Sequence, residues 1–471
     1  MRRMDSLRDL LKTKRRLVFL IIGLAVFVLI YLYPTPSGLT EAGKKSLAIF
    51  SLCAIYWLLD VLPLMITGLL AILLFPLMGI LEAGETFALF GNQAVFFILG
   101  AFVLSSGLLR SGLSQRIALL FLRRFGKTPR RLILATLLFP ALSSLFITEH
   151  AVAAMFFPIV AEISGALRLE PGQSRMGKAL FLSMAWGCVL GGIGTYLGGA
   201  RAPLALAILS ETTGEKISFL TYSLCALPTV IFGLFFAGLA IMLFFPPEID
   251  SVLPAKGLLE EKIKKQGRIS RRELAMGILM VLVIFAWVAF GHKLGLAIIA
   301  LAGVVVGFVF KLLVWKEVEE DVNWGVFLLY GGAISLGLAM SKTQALEWLA
   351  GRSLSILASH PSILVIFLPT LAIFLTELVS NSAVVALLVP VGIGIGAKIG
   401  FDPKVIMLLI TIPSGLAFML PVGTPANAIA FSSGYYRIRD SVRAGLLVNI
   451  PTLIFFLLSA WIYWRWLGLK F

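Results

Sequence analysis

The sequence predicts an all-α polytopic membrane protein: about eleven transmembrane helices with two re-entrant helical hairpins, arranged as an inverted repeat. Three observations carry that expectation. Of the 471 residues, 59% are hydrophobic and only 14% charged, with a mean hydropathy of +0.99, whereas a soluble chain keeps about a quarter of its residues charged. Too little polar surface remains to cover a globule in water, so the solvent must be lipid. Apolar runs of spanning length recur along the whole chain, and two apolar stretches with polar centres occupy matching places in its two halves.

Taken in order, the first span is expected near 17–33. Leu17–Leu32 resembles a signal peptide in length, but it lacks a small-residue cleavage pattern and runs into Tyr33-Pro34-Thr35-Pro36, so it reads as a retained helix. Further spans fall near 45–60, 62–80, 93–109, 179–210, 218–245, 274–291, 294–313, 323–341, 403–434 and 444–467, each near the ~20 residues a bilayer core requires. Ser111–Phe125 and Thr343–Leu357 are amphipathic and are expected to lie along an interface; a plain connecting loop is the alternative.

The net charge of +16 does not point to nucleic acid. Lys and Arg cluster in short blocks between apolar runs, at Arg2 to Arg16, Arg110 to Arg131, Lys256 to Arg272 and Arg437 to Arg443. Such blocks mark cytoplasmic loops, and no soluble domain is left to carry a nucleic-acid face. With the N-terminus cytoplasmic and the C-terminus outside, most of the 40 Lys and Arg fall inside. This works only if 132–167 and 362–397 each enter and leave on one side, as hairpins from opposite faces of a bacterial-type inner (plasma) membrane. Non-helical backbone is tolerated at that depth when buried in protein or lining a wet cavity. Cys53, Cys188 and Cys225 lie in apolar stretches, an odd count without metal-ligand spacing, and read as buried free thiols.

The two hairpins are related. Phe146-Ile147-Thr148-Glu149-His150-Ala151-Val152-Ala153-Ala154 precedes Pro158, and Leu378-Val379-Ser380-Asn381-Ser382-Ala383-Val384-Val385-Ala386 precedes Pro390, at a constant offset that sets Ser382 against His150. Each hairpin is followed by an interrupted segment, Gly191-Gly192-Ile193-Gly194-Thr195-Tyr196-Leu197-Gly198-Gly199 in the first half and Leu420-Pro421-Val422-Gly423-Thr424-Pro425-Ala426-Asn427 in the second. Matched, interrupted segments in two halves are the best sequence pointer to a transport site. Carbonyl, hydroxyl and amide oxygens at such tips suit a small hard cation, and helix N-termini suit an anion. A Ser/Asn cap beside a Pro kink would explain either motif alone; the pairing favours the site.

These residues, with Trp57 to Pro63 (WLLDVLP), resemble the divalent anion:sodium symporter family, which moves dicarboxylates, citrate or sulfate. The resemblance covers nearly the whole chain. It implies a homodimer with a fixed scaffold and a transport domain that slides as a rigid elevator. In those terms 1–130 are N-terminal scaffold helices with an interfacial arm, and 131–245 the first half of the transport domain. Residues 246–361 are second-half scaffold helices with their arm, and 362–471 the second half of the transport domain. The resemblance implies one Na⁺ site from Thr376, Ser380, Asn381 and the backbone around Gly423 and Thr424, with Asn427 supporting the loop. Asn381, Ser382, Thr424 and Pro425 would face the substrate, a small divalent anion such as a C4 dicarboxylate, with Na⁺ as coupling ion and no cofactor.

The first half departs from the family pattern. Its tip is Thr148-Glu149-His150 where the family has Ser-Asn-Thr, and Gly198-Gly199-Ala200-Arg201-Ala202 stands where Gly-Thr-Pro-Pro-Asn would. Ionisable groups at the membrane midplane cost at least ~2.5–3.5 kcal/mol, so they call for a role and a partner. Arg201 is the candidate for the positive charge that a first Na⁺ supplies elsewhere in the family, since a guanidinium binds carboxylates through two parallel bonds. A static Glu149–Arg201 pair is the alternative. Glu149 and His150 are both titratable and are candidates to carry H⁺ with the anion; a neutral, hydrogen-bonding His150 is the plainer reading.

Other residues read as structural. His292 and His360 are isolated in predicted outer loops. Asp60 lies at a short turn, Trp461, Tyr463, Trp464 and Trp466 form an interface belt, and Gly392–Gly396 permits close helix packing. A membrane enzyme would require an acid/base pair or metal cluster at one membrane face, but the charges here sit at hairpin depth. Within transport, the alternative to Na⁺ coupling is a cation-independent or H⁺-coupled dicarboxylate exchanger, or a sulfate transporter, and an anion channel is a third class, which uphill accumulation of substrate excludes.

Overall fold

A computed structural model describes residues 2–357 and 362–469, with side chains over 15–351 and 363–469. His360 lies outside the described residues. Every regular element among them is helical. The first half comprises α1 (Arg2–Leu32), α2 (Glu41–Leu58), α3 (Leu64–Leu77), α4 (Ala83–Ala88), α5 (Gln93–Arg110), α6 (Leu113–Phe125), α7 (Pro129–Ser144), α8 (Glu149–Ala166), α9 (Arg175–Ile193), α10 (Arg201–Thr213) and α11 (Phe219–Phe244). The second comprises α12 (Leu253–Gln266), α13 (Arg271–Leu294), α14 (Leu296–Val309), α15 (Trp315–Asp321), α16 (Trp324–Lys342), α17 (Ala345–Leu357), α18 (Ser362–Leu378), α19 (Asn381–Lys398), α20 (Pro403–Thr411), α21 (Pro425–Ser432) and α22 (Ile438–Trp466).

Local chemistry sets many of these boundaries. Thr40, Thr128, Ser174 and Ser218 accept from the backbone N–H three residues on and start α2, α7, α9 and α11. Ser270 and Glu273 form a capping box at α13. Outward faces of α1, α11, α13 and α14 expose large apolar side chains such as Leu29, Phe235, Val281 and Val309, as expected of helices whose solvent is lipid.

The repeat is visible in the helix boundaries. Bounds of α3, α6 and α8 recur 232 residues later in α14, α17 and α19, the same separation that divides Trp186 from Phe418. Those two residues touch: Trp186 Nε1 donates to the Phe418 carbonyl at 3.1 Å, with the rings 5.8 Å apart. A residue in contact with its own repeat mate lies beside the pseudo-two-fold axis. The relation holds in packing too. Gly332 of α16 meets the Gly68 backbone of α3, and its mate Gly100 of α5 meets Ala300 of α14. Small residues let these backbones approach closely, as in membrane helix pairs generally.

The spans are divided more finely than the apolar runs suggest. Eight helices among the described residues have the length and apolar character to cross a membrane, and one of them, α19, is a hairpin arm. The expected figure of eleven crossings does not follow from these lengths, because interruption divides some segments into shorter pieces: 403–434 becomes α20, a 3₁₀ turn at Pro413–Gly415 and α21. Trp464 is not part of a belt; it is fully buried and donates to the Cys225 carbonyl, while Trp466 is exposed. The basic stretch read as a loop contains α12, and α4 and α15 were not anticipated. Of the two readings for Ser111–Phe125 and Thr343–Leu357, the helical one holds in α6 and α17. Asp60 turns in the left-handed region (φ 49°), and Cys53, Cys188 and Cys225 are buried and unbridged.

Both odd stretches fold as helix–turn–helix hairpins, α7–α8 and α18–α19. Gly187 and Gly191 of α9 lie against the Leu137 and Ala141 carbonyls of α7, where a Cβ would overlap the backbone. Gly392 and Gly396 of α19 lie close against the side chains of Ile410 and Ile406.

Candidate functional site

Each hairpin tip is tied to the interruption of the broken segment that follows it. In the first half α7 ends at Ser144 and α8 begins at Glu149. The Glu149 N–H donates to the Gly198 carbonyl (2.9 Å), and the Thr195 hydroxyl donates to the Leu145 carbonyl (2.6 Å). Arg201 opens α10 just beyond the break. Its Nη1 lies 3.2 Å from Glu149 Oε2, with Arg201 2% and Glu149 6% exposed. Two glycines clear this space. A Cβ at Gly192 would lie 2.5 Å from Glu149 Oε2, and one at Gly415, in the other broken segment, 2.7 Å from Arg201 Nε. Tyr330 of α16 donates its hydroxyl to the Ala200 carbonyl immediately before Arg201.

Arg201 therefore stands between the halves, and its hydrogen bonding is incomplete. Nε and Nη2 are buried with no partner among the described residues. A charged N–H left unbonded in a protein interior costs at least ~1–3 kcal/mol, so the Nε–Nη2 edge of this guanidinium is a fork suited to a carboxylate or another oxyanion.

In the second half Asn381 opens α19 and is buried. Its carboxamide bridges two environments. One end faces Thr376 Oγ1 (2.6 Å), the Ser414 carbonyl (3.2 Å) and the Gly423 carbonyl (3.1 Å); the other lies 3.2 Å from Arg201 Nη1. Hydroxyl, carbonyl and carboxamide oxygens make a hard donor set appropriate to a small cation. The Thr376 hydroxyl also lies 2.6 Å from the Ser414 carbonyl.

Beneath this cluster Glu377 holds the interrupted backbone. Its Oε1 accepts from the Phe418 N–H (2.8 Å), the Met419 N–H (3.0 Å) and Asn449 Nδ2 (3.0 Å), and its Oε2 from the N–H groups of Met419 (3.0 Å) and Leu420 (2.8 Å). A carboxylate is the acceptor-only group that such a ring of donors demands. The Thr424 hydroxyl accepts from the Asn427 N–H (3.2 Å) to cap α21, with Pro425 exposed at its first position, and Asn427 Nδ2 donates to the Ala417 carbonyl (2.8 Å).

The fold thus gathers Glu149, Arg201, Asn381, Thr376 and Gly423 into one cluster. Ser380 and Ser382 flank Asn381 on the tip, Ser380 being half-buried and Ser382 buried. Thr424, Pro425 and Asn427 form the adjoining helix start. Thr148 and His150 face elsewhere: they lie 3.4 Å apart, and the His150 ring meets Phe102 of α5 edge-on at 6.3 Å. Sequence reasoning missed Glu377, Ser414, Gly415 and Tyr330. Glu377 carried a signal, being an acid inside the apolar run Leu375-Thr376-Glu377-Leu378. Ser414 acts through its main-chain carbonyl, for which side-chain identity gives no sign.

Comparison with known proteins agrees with this architecture. The family model described as the sodium:sulfate symporter transmembrane region matches residues 14–470. The sodium-dependent dicarboxylate transporter of Staphylococcus saprophyticus is 28% identical over 464 residues, covering 93% of this chain and 89% of that protein. Its counterpart in Staphylococcus aureus is 27% identical over 469 residues, covering 94% and 90%. Among solved structures, MtrF of Neisseria gonorrhoeae, of a class of antimetabolite efflux pumps, aligns with a TM-score of 0.61 at 15% identity over 95% of this chain and 94% of that one. The YdaH transporter of Alcanivorax borkumensis aligns with a TM-score of 0.55 at 16% identity over 80% and 88%. At these identities the two structures speak to the fold alone.

Proposed function

The chain belongs to the sodium:sulfate symporter transmembrane-region family, and from that premise we propose that it is a secondary active transporter of small dicarboxylates, of the C4 class, coupled to Na⁺. The reading has Na⁺ held by the oxygens of Thr376, Ser414, Gly423 and Asn381. The flanking tip residues Ser380 and Ser382, and Thr424, Pro425 and Asn427 at the neighbouring helix start, complete the surroundings of ion and substrate. The relatives named for sodium-dependent dicarboxylate transport support both the ion and the anion class.

The observation that carries the proposal is the Arg201 fork. It lies between the two hairpin tips, is charged, and has two nitrogens without partners. Bound dicarboxylate would satisfy those nitrogens and take over from Glu149, whose carboxylate pairs with Arg201 in the substrate-free site. In this scheme Arg201 stands in for a first Na⁺, so fewer sodium ions accompany each anion than in a transporter with two intact sites. Thr148 and His150 line the same tip on the side toward α5.

Movement follows an elevator scheme in which α7–α11 and α18–α22 travel as one body against the remaining scaffold of a homodimer. Binding both tips and both interruptions through Arg201, Asn381 and the Trp186–Phe418 contact favours rigid motion of that unit. The N-terminus is cytoplasmic and the C-terminus outside in this arrangement, within a bacterial-type plasma membrane.

The test is uptake of labelled succinate into proteoliposomes with inward Na⁺, with choline in its place, and with trapped counter-anion. Accumulation above the external concentration that requires the Na⁺ gradient is the expected result. Uptake that needs only trapped anion identifies an exchanger and overturns the coupling. A measured Na⁺-to-succinate ratio equal to that of relatives with two sodium sites would remove the assignment to Arg201.

A further inference from the structure

Resting on that reading of Arg201 and of the oxygen cluster, we infer that the Asn381 carboxamide is the element that couples ion to substrate: it faces Arg201 with its oxygen when the cation is absent and turns that oxygen onto the cation when it binds, releasing Arg201 to the anion.

The geometry allows two orientations related by half a turn of the planar amide. One end of the amide lies 2.6 Å from Thr376 Oγ1, 3.2 Å from the Ser414 carbonyl and 3.1 Å from the Gly423 carbonyl, and the other lies 3.2 Å from Arg201 Nη1. With nitrogen toward the cluster, the amide and the cluster oxygens are matched donor to acceptor. The amide donates to Thr376 Oγ1 and the Gly423 carbonyl, the single Thr376 proton goes to the Ser414 carbonyl, and the amide oxygen accepts from Arg201. Arg201 Nη1 then has Glu149 and Asn381 as its two acceptors.

With oxygen toward the cluster, four oxygens share one hydroxyl proton. Three acceptors converge with nothing between them, an arrangement that a cation stabilises and its absence disfavours. At the other end the amide nitrogen now faces a guanidinium nitrogen, donor against donor. Arg201 loses an acceptor it held, on top of the two nitrogens that already lack one. An incoming carboxylate supplies those acceptors. A single rotation therefore changes the fit of both partners together, so ion and anion bind with positive coupling, and linkage requires that the effect be equal in both directions.

The experiment measures succinate affinity calorimetrically on the purified full-length protein in lipid nanodiscs, at constant ionic strength with Na⁺ replaced stepwise by choline. Na⁺ half-saturation is read in parallel from thermal stabilisation with and without succinate. Wild type, Arg201→Gln and Asn381→Asp are compared. In the wild type, succinate affinity is expected to rise about 10-fold or more with Na⁺, within the range of known coupling energies, and Na⁺ half-saturation to fall by the same factor with succinate. Arg201→Gln should still be stabilised by Na⁺, with weakened succinate binding that no longer responds to Na⁺. Asn381→Asp has an oxygen for each partner and no need to turn. Its Na⁺ half-saturation without succinate should fall below that of wild type, and its succinate affinity should lose the Na⁺ dependence. Either variant keeping the wild-type factor overturns the inference, since ion and anion would then be attracting each other directly. Should Arg201→Gln fail to fold, Asn381→Asp decides alone. A wild type that binds no succinate in either salt overturns the transport reading and the inference with it.

Discussion

Replacing Glu377 by Gln removes one of two acceptor oxygens from a ring of four donors, two of them buried and two half-buried: the Phe418 N–H and the Asn449 amide, and the N–H groups of Met419 and Leu420. With the new nitrogen in the Oε1 position the Phe418 N–H and the Asn449 amide lose their acceptor; with it in the Oε2 position the Leu420 N–H does, while Met419 keeps Oε1. A donor left without a partner costs about 1–3 kcal/mol, so even the better orientation costs at least ~1 kcal/mol. The interrupted backbone held by this ring runs on to Gly423, whose carbonyl faces Asn381. If the ring must be re-formed before that carbonyl can meet the cation, ~1 kcal/mol corresponds to roughly 5-fold or more in apparent Na⁺ affinity. The assay is Na⁺-dependent succinate uptake in proteoliposomes, with Na⁺-dependent thermal stabilisation of the purified variant as an activity-independent check. A Glu377→Gln protein with wild-type Na⁺ half-saturation in both measurements would refute the positioning role. Asn449→Leu, which removes one donor and leaves the bonds from the three backbone N–H groups, should move Na⁺ half-saturation by a smaller factor.

Three further outcomes are expected. Glu149→Gln should alter the pH profile of uptake if H⁺ accompanies the anion through this carboxyl, and an unchanged profile across a pH series excludes that coupling. Gly191→Ala places a Cβ against the Ala141 carbonyl of the first hairpin; backbone cannot step aside as a side chain can, so destabilisation at or above the usual ~1–3 kcal/mol of overpacking is expected, seen as a lower unfolding midpoint, and an unchanged midpoint would show that α7 and α9 are not held as described. Arg110 of α5 hydrogen-bonds Asp321 at the end of α15 and holds its carboxyl below the usual range. The stability this contributes is present above the unfolded Asp value of ~3.9 and lost as pH falls through the lower folded value. Arg110→Ala should therefore be less stable than wild type at neutral pH, with the difference closing below about pH 4; a gap that persists into strong acid would assign the effect to packing.

Membrane solvation was legible because it is a property of composition: too few charged residues for a surface in water. The repeat was legible because Thr148-Glu149-His150 and Ser380-Asn381-Ser382 keep one offset, and helix boundaries follow that offset across both halves. Arg201 and Glu149 drew attention because an ionisable group at bilayer depth is costly wherever it sits. What the sequence could not convey is which atoms of different segments converge. The Ser414 and Gly423 carbonyls, the space at Gly415 and the donors around Glu377 are main-chain features, nearly independent of side-chain identity, and they acquire meaning only when a broken segment is laid against a hairpin tip. The same holds for Arg201. Its charge is in the sequence, but its place between Glu149 of one half and Asn381 of the other is decided by the pseudo-two-fold packing. Composition and periodicity determine which solvent a segment prefers. Bond-length geometry between distant segments is set only when their backbones close upon each other.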